Sequence, residues 1–489
     1  MLVGVREFIK MQNELLVVVI VFLPIFGAFF LPLIGSANEK MRNIFALLMV
    51  VTAFLASLML LPEVMRGTVI SVSFPFIPAL GLFHADLLAV FMAIVSSMVG
   101  SIIILYSFEY ISHYENRNEY YFMVVLFLGA MMGLVFSRNL LFLYLFWEIT
   151  AIVCWRLIGF FREKKYVLMA DKAFIVTVFG ALMMLIGFLM IYEQAGSFDL
   201  GTIKENMKGT PISNVAVFFI LFGIFSKSAT LPLHTWLPDA GVAPSPVTAL
   251  LHAAVLVKIG VYVFARLFVA TLVLDDIWHT LVPFIAAVSA LITAGAAFIE
   301  TDIKRIIAYS TISQLGFILL GLSVNTELGI AGGLLYILMH GIAKGGLFLC
   351  AGIVEQKTKV KDITQLGGLI TTMPITAISF LFCAFSVMGI PPFGGFFSKY
   401  MVVAGAVQGG HPIIALVFLI GAIMTILYLF RLFNLVFLGE LRLDRSEGSS
   451  VMTVSVFLLA ILSLAGGIFV SYPAEVARTA VVQALELVK

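Results

Sequence analysis

The chain has 489 residues, 62% of them hydrophobic and only 11% charged, with a formal net charge of +2 and a mean hydropathy of +1.13. Soluble domains carry about 25% charged and about 45–50% apolar residues, so a soluble globular enzyme is excluded and a polytopic membrane protein is implied. Neither the net charge nor any basic run suggests a nucleic-acid partner.

An apolar helix needs about 20 residues to cross the hydrocarbon core. On that rule the first five spans fall near 14–35, 42–62, 84–108, 119–136 and 139–161. The first run is long enough to stay as a spanning helix and lacks a signal-peptide pattern. Five more fall near 169–193, 213–231, 245–270, 277–298 and 303–323, and the last four near 328–353, 371–408 (interrupted), 412–437 and 451–472. That makes about fourteen spans. The longest connections, 63–83 and 194–212, leave no room for an inserted soluble domain.

Lysine and arginine placement sets the orientation. With the N-terminus outside, the inner loops hold Lys40, Arg42, Arg117, Arg162, Lys164, Lys165, Lys304, Arg305, Lys357, Lys359, Lys361, Arg442 and Arg445. The outer loops hold Arg66, Arg138, Lys204 and Lys208, and the termini add Arg6, Lys10, Arg478 and Lys489. Both termini are therefore expected outside, in a cytoplasmic or other energy-transducing membrane.

Several ionisable groups fall inside these apolar runs. Glu148 lies near the centre of the fifth span, where a carboxylate costs about 3 kcal/mol even on lenient insertion scales. Lys227 lies in the seventh span just before Pro232. Burial favours a neutral amine and a neighbouring carboxylate favours the charged one, so a lysine held between these pulls suits a proton carrier. The competing reading is a static pair that pins two helices. Lys258 shares one helix face with Tyr262 and Arg266, and Thr248 and His252 pair on another. His340 and Lys344 are four apart in the eleventh span, and Lys399 follows the break in GIPPFGGFFSK. Snorkelling or a buried structural role is the alternative for each alone. His234 and Asp239 fit loop or cap positions as well as functional ones, and Ser310 and Gln314 are expected to bond neighbouring helices.

The seventh and twelfth spans are both interrupted by proline and glycine, and each has a lysine nearby, with Lys258 and Arg431 following. The two breaks are five spans apart, an odd number, so matching elements run in opposite directions. Inverted repeats with broken helices around a midplane ion site leave this trace.

The run KSATLPLHTWLPDAGVAPSPVTALLHAAVLVKIGVYVFAR at 227–266, with DIKRIIAYSTISQLGF at 302–317, HGIAKGGLFLCAG at 340–352 and GIPPFGGFFSK at 389–399, resembles the antiporter-like subunits. That family is shared by respiratory complex I, Mrp-type cation/proton antiporters and energy-converting membrane-bound hydrogenases. The resemblance covers roughly 80–440. It implies an all-α fold of about fourteen transmembrane helices, with two inverted five-helix repeats and discontinuous helices seven and twelve. The chain then divides into N-terminal helices (1–118), a first repeat (119–270), a second repeat (277–437) and a C-terminal helix and tail (438–489). The resemblance further implies Glu148 and Lys227 as the essential pair, Lys258 as the connecting lysine, and His252, His340 and Lys344 continuing a hydrated axis to Lys399. Some members carry a glutamate where this chain has Lys399. Tyr262, His234 and Asp239 are supporting candidates.

Because the chain stops shortly after its fourteenth span, it looks more like the middle complex I subunits or the D-type Mrp subunit. The expected function is proton translocation, coupled or not to sodium, within a redox-driven complex; a sodium/proton antiporter without a redox partner is the alternative. No cofactor is expected on this chain, because Cys154, Cys350 and Cys383 are isolated and no metal-ligand cluster is spaced for iron–sulfur or zinc. Any redox centre would sit on partner membrane subunits, including another antiporter-like or a quinone- or hydrogenase-module subunit.

Overall fold

The computed structural model describes residues 2–73 and 81–486. Part of the 63–83 connection, the ends of the 1–118 and 438–489 segments, and the expected outer placement of Lys489 and the Arg6 side chain lie outside what is described.

Twelve helices among the described residues are long and apolar enough to cross a membrane. In chain order the elements begin with α1 (Leu2–Ala28), α2 (Leu31–Ala37) and α3 (Glu39–Met65). A hairpin of β1 (Ile70–Ser73) and β2 (Gly81–Ala85) follows, pairing antiparallel with Ile70 opposite Ala85. These short strands, where a loop is expected, are the departure from an all-α chain. Then come α4 (Leu87–Tyr110), α5 (Arg117–Phe136), α6 (Leu140–Ile158), α7 (Lys164–Ala195), α8 (Leu200–Asn206), α9 (Asn214–Lys227) and α10 (Trp236–Asp239). The eighth span runs from α11 (Ser245–Ala249) to α12 (Leu256–Phe264), with π-turns at Leu250–Ala254 and Ala265–Val269. The second half holds α13 (Trp278–Ile299), α14 (Ile303–Ser323), α15 (Glu327–Thr358), α16 (Pro374–Met388), α17 (Gly394–Gln408) and α18 (Pro412–Phe437). The chain closes with α19 (Ser450–Ile468) and α20 (Ser471–Glu486).

Spans seven and twelve are the ones too short to cross as single helices: α9 stops at Lys227, and α16 breaks at Gly389 before α17 begins. Gly389 sits at φ +82, a left-handed conformation that glycine adopts without a Cβ penalty. Counted with the twelve long helices, these two interrupted spans give the expected fourteen. The predicted tail after the fourteenth span folds as α20, whose Gln483 side chain donates to the Val64 carbonyl at 3.0 Å.

The two halves repeat in detail. Asn139, which caps α6, forms a bridge with Asp199, which caps α8; Asp302, which caps α14, forms the equivalent bridge with Asp362. Helices α7 and α15 are both 32 residues long and both end on a left-handed residue, Gly196 and Lys359. All of these matches keep one constant offset along the chain, and the two bridges lie on opposite faces of the helix layer.

Polar contacts also group the loops by face. Arg117 pairs with Glu39 at 2.6 Å, Arg162 with Glu119 at 2.7 Å, Arg305 with Asp239 at 2.7 Å and Lys304 with Glu355 at 2.7 Å, all between loops expected to be inner. Arg138 pairs with Asp199 at 2.6 Å, and Lys204 donates to the Ala270 carbonyl at 2.8 Å, on the face that carries the β-hairpin.

Candidate functional site

The interior between the two repeats holds a line of buried basic side chains. Lys227, Lys258, Lys344, His252 and His340 are fully buried and Lys399 is 6% exposed. A buried amine needs an acceptor, and at each lysine of the line a carbonyl supplies one.

Lys227 ends α9, where a cation is favoured by the exposed carbonyls of the last turn. Its Nζ donates to the Trp147 carbonyl of α6 at 3.2 Å and lies 5.1 Å from the centre of the Trp147 ring. Lys258 reaches back to the Ala253 carbonyl. That carbonyl belongs to the π-turn Leu250–Ala254, after which Val255 (φ −129, ψ −75) interrupts the helix. π-turns of this kind free backbone groups from the regular ladder. On the far side Gly341 of α15 packs against Lys258 Nζ so closely that a β-carbon there would overlap it.

Lys344 donates to Ser310 Oγ at 2.6 Å and to the Ile307 carbonyl at 3.2 Å. Lys399, although on α17, reaches back to the Val387 carbonyl at 2.7 Å. Val387 is in the last turn of α16, where carbonyls have no intrahelical donor. Lys227 precedes its break and Lys399 follows its own, yet both ammonium groups therefore sit at the C-terminal end of the first piece of a broken span.

A hydrogen-bonded chain runs from Lys344 toward Lys399. Ser310 meets the Tyr428 hydroxyl at 2.6 Å, Gln314 Nε2 donates to Thr425 at 3.2 Å and to Tyr428 at 3.4 Å, and Tyr336 donates to Gln314 Oε1 at 2.7 Å. Lys399 Nζ then lies 5.7 Å from the Tyr336 ring centre and 4.5 Å from that of Phe317. Ser310 and Gln314 bond neighbouring helices, as expected, and also fill the space between two lysines. Sequence reasoning missed Tyr336, Thr425 and Tyr428. Tyr336 was within reach of it, standing four residues before His340 as His340 stands four before Lys344.

Between Lys258 and Lys344, both ring nitrogens of His252 and of His340 lack hydrogen-bond partners among the described residues. His252 packs against Phe348 with ring centres 4.5 Å apart and planes tilted by 40°. The charges that bear on His340 include those of Lys258, Lys344 and Lys399. Neutral rings between amines can accept a proton from one neighbour and release it to the next.

The remaining expected residues are placed differently. Glu148 makes no ion pair within 4.0 Å among the described residues, and its Oε1 has no hydrogen-bond partner there. It stands half-buried on the outward face of α6, between Leu145 (51% exposed) and Ile152 (52% exposed). Asp239 bridges Lys172 and Arg305, each at 2.7 Å, which ties the first repeat to the second on the expected inner face. His234 lies beside it, 3.4 Å from the Pro232 carbonyl. Neither joins the buried line. Tyr262 donates to the Val135 carbonyl at 2.5 Å and accepts from Arg266 at 2.9 Å, away from the Lys258 ammonium.

A family profile described as "NADH:quinone oxidoreductase/Mrp antiporter, TM" matches residues 137–425, more than half of the chain. An A1-type Na(+)/H(+) antiporter subunit from Staphylococcus haemolyticus is 33% identical, with 92% of this chain and 60% of the relative covered. An A-type Na(+)/H(+) antiporter subunit from Alkalihalophilus pseudofirmus is 34% identical, with 87% and 57% covered. The chain thus spans about 60% of the length of the curated relatives it matches. These relatives are of the A type, so the expectation of a D-type subunit, which rested on chain length, has no support from them. Among solved structures, the Mrp complex from Dietzia sp. shares the fold at a TM-score of 0.89 and 22% identity, covering 97% of this chain and 98% of that one. The archaeal membrane-bound sulfane sulfur reductase shares it at 0.89 and 23%, with the same coverage.

Proposed function

Because the chain belongs to the NADH:quinone oxidoreductase/Mrp antiporter family, we propose that it is the proton-carrying membrane subunit of a multi-subunit sodium/proton antiporter. The observation that carries this reading is the set of four buried amines, Lys227, Lys258, Lys344 and Lys399, each held by neutral acceptors. An ammonium without a carboxylate partner gives up its proton at low cost, and a neutral amine takes one back. The named relatives are Na(+)/H(+) antiporter subunits, which favours exchange for sodium.

In this reading Glu148 is the trigger. A mid-span carboxylate on an outward face is too costly to leave against lipid, so a neighbouring membrane subunit covers α6 and controls that charge. Drawing Glu148 to within about 4 Å of Lys227 stabilises the ammonium by about 4 kcal/mol at an effective dielectric near 20. That is about a thousandfold in protonation equilibrium. Release of Glu148 frees the proton, which passes by Lys258, the two histidines and Lys344 to Lys399. In this reading any redox group belongs to another subunit, and α1 begins and α19 ends on the outer side of the cell membrane.

Lys227→Ala and Glu148→Ala should leave the complex assembled but abolish sodium-driven proton movement in vesicles. Unchanged exchange in either variant refutes the relay. The second reading, membership of a redox-driven pump, is favoured by the equally close fold of the sulfane sulfur reductase complex. Flavin or iron–sulfur absorbance that co-purifies with the native complex selects it, and a colourless complex selects the antiporter.

A further inference from the structure

On the hairpin face the first half of the buried line ends at a charged group outside the roles assigned above. Arg266, 3% exposed, lies two helical turns beyond Lys258, about 12 Å along a regular axis. Its guanidinium makes a two-pronged contact with Asp86, at 2.5 and 2.7 Å, and two bonds with the Tyr262 hydroxyl, at 3.1 and 2.9 Å. Tyr262 is in turn pinned to the Val135 carbonyl. Asp86 is fixed independently, because it caps α4 through Ala89 at 2.9 Å. His84 Nε2 stands 3.7 Å from Asp86.

Immediately outside this group is a cavity of about 370 Å³, lined by His84, Asp86, Arg138, Lys204, Arg266 and Thr271 among others. It is large enough for several waters, so the hairpin-side solution comes as far as Arg266. An arginine stays protonated under all ordinary conditions. A fixed cation that closes a polar path raises an electrostatic barrier to protons and other cations.

We propose that Arg266, held by Asp86 and Tyr262, is a positive plug that shuts the hairpin-side cavity off from the Lys258 station. The inference rests on the relay reading, in which Lys258 carries protons. The plug forces protons onto the lateral route toward Lys344 instead of letting them leak between Lys258 and the near solution. Arg266 is then a positioning and selectivity residue that carries no proton itself.

The test is passive proton leak through the native complex in vesicles, with a pH gradient imposed, potassium and valinomycin clamping the voltage, and no sodium. Asp86→Asn/Arg266→Gln should raise the leak at least tenfold, and adding Lys258→Gln should return it to the wild-type rate. An assembled double variant with wild-type leak overturns the plug. Raised leak that persists with Lys258→Gln keeps the plug and refutes Lys258 as a relay station. Should the double variant fail to assemble, Arg266→Gln alone decides, since it removes the positive charge and leaves Asp86 in place to cap α4 through Ala89. Its leak should rise at least threefold, and an unchanged leak overturns the proposal.

Discussion

Each amine of the buried line is matched to a carbonyl or hydroxyl and not to a carboxylate. Lys344 shows how much structure that takes, since Ser310, Tyr428, Gln314 and Tyr336 follow one another from its ammonium. Tyr428→Phe removes the hydroxyl that joins Ser310 to Gln314. It should cost about 1–3 kcal/mol in thermal stability, because buried polar partners are left unsatisfied. It should also slow exchange in vesicles while Lys227 chemistry stays intact; a wild-type rate would show that the hydroxyl chain is structural only. The ionisable half of the site was legible in the sequence because charge stands out against an apolar background. Tyr336, Thr425 and Tyr428 were not, since a tyrosine or threonine in a membrane helix is unremarkable until its neighbours are known. Glu148 and Lys227, expected as a pair, lie close enough for each charge to bear on the other, and the Lys227 hydrogen bond goes to the Trp147 carbonyl.

At the level of elements, breaks and close contacts share the work. The proline and glycine clusters announced that spans seven and twelve are interrupted, and they are. The π-turns of the eighth span left no such mark, because Leu250–Ala254 contains neither proline nor glycine. Likewise no periodicity indicated the hairpin between α3 and α4. Around the break in span twelve, α17 lies directly on α15: a β-carbon at Gly405 would overlap the backbone of Gly329, and one at Gly332 would crowd Val402. Small residues let membrane helices approach this closely. Gly405→Ala should therefore push α17 away, cost about 1–3 kcal/mol, and lower the unfolding temperature in detergent. A value equal to wild type would mean that the backbone contact is slack.

The whole molecule is one device used twice in opposite orientation, with matched caps, matched long helices and matched left-handed ends. The charge bias of the loops gave the grouping by face, which the ion pairs across those loops reproduce. Asp239 joins the halves. Burial alone would raise its carboxyl, but Lys172 and Arg305 outweigh this and hold it below the ordinary 3.8. A carboxyl with a lowered folded value contributes stability above its unfolded value, and that contribution is lost as pH falls through the folded one. The unfolding temperature should thus be insensitive to this group at neutral pH and fall below about pH 4. Asp239→Asn should be less stable at neutral pH and show a shallower acid limb. An acid limb as steep as wild type would place the sensitivity elsewhere.

The four lysines carry one more consequence. Lys258 and Lys344 lie mid-way along the Ser245–Val269 and Glu327–Thr358 spans, Lys227 ends α9, and the Lys399 ammonium reaches back to the break between α16 and α17, so all four occupy similar depth in the bilayer. Moving a unit charge across the full membrane potential is worth about 2.3 kcal/mol per 100 mV, but a hop parallel to the membrane does almost no work against that field. In the proposed relay the membrane voltage therefore acts on the steps that load and unload the line, and hardly at all on the steps along it.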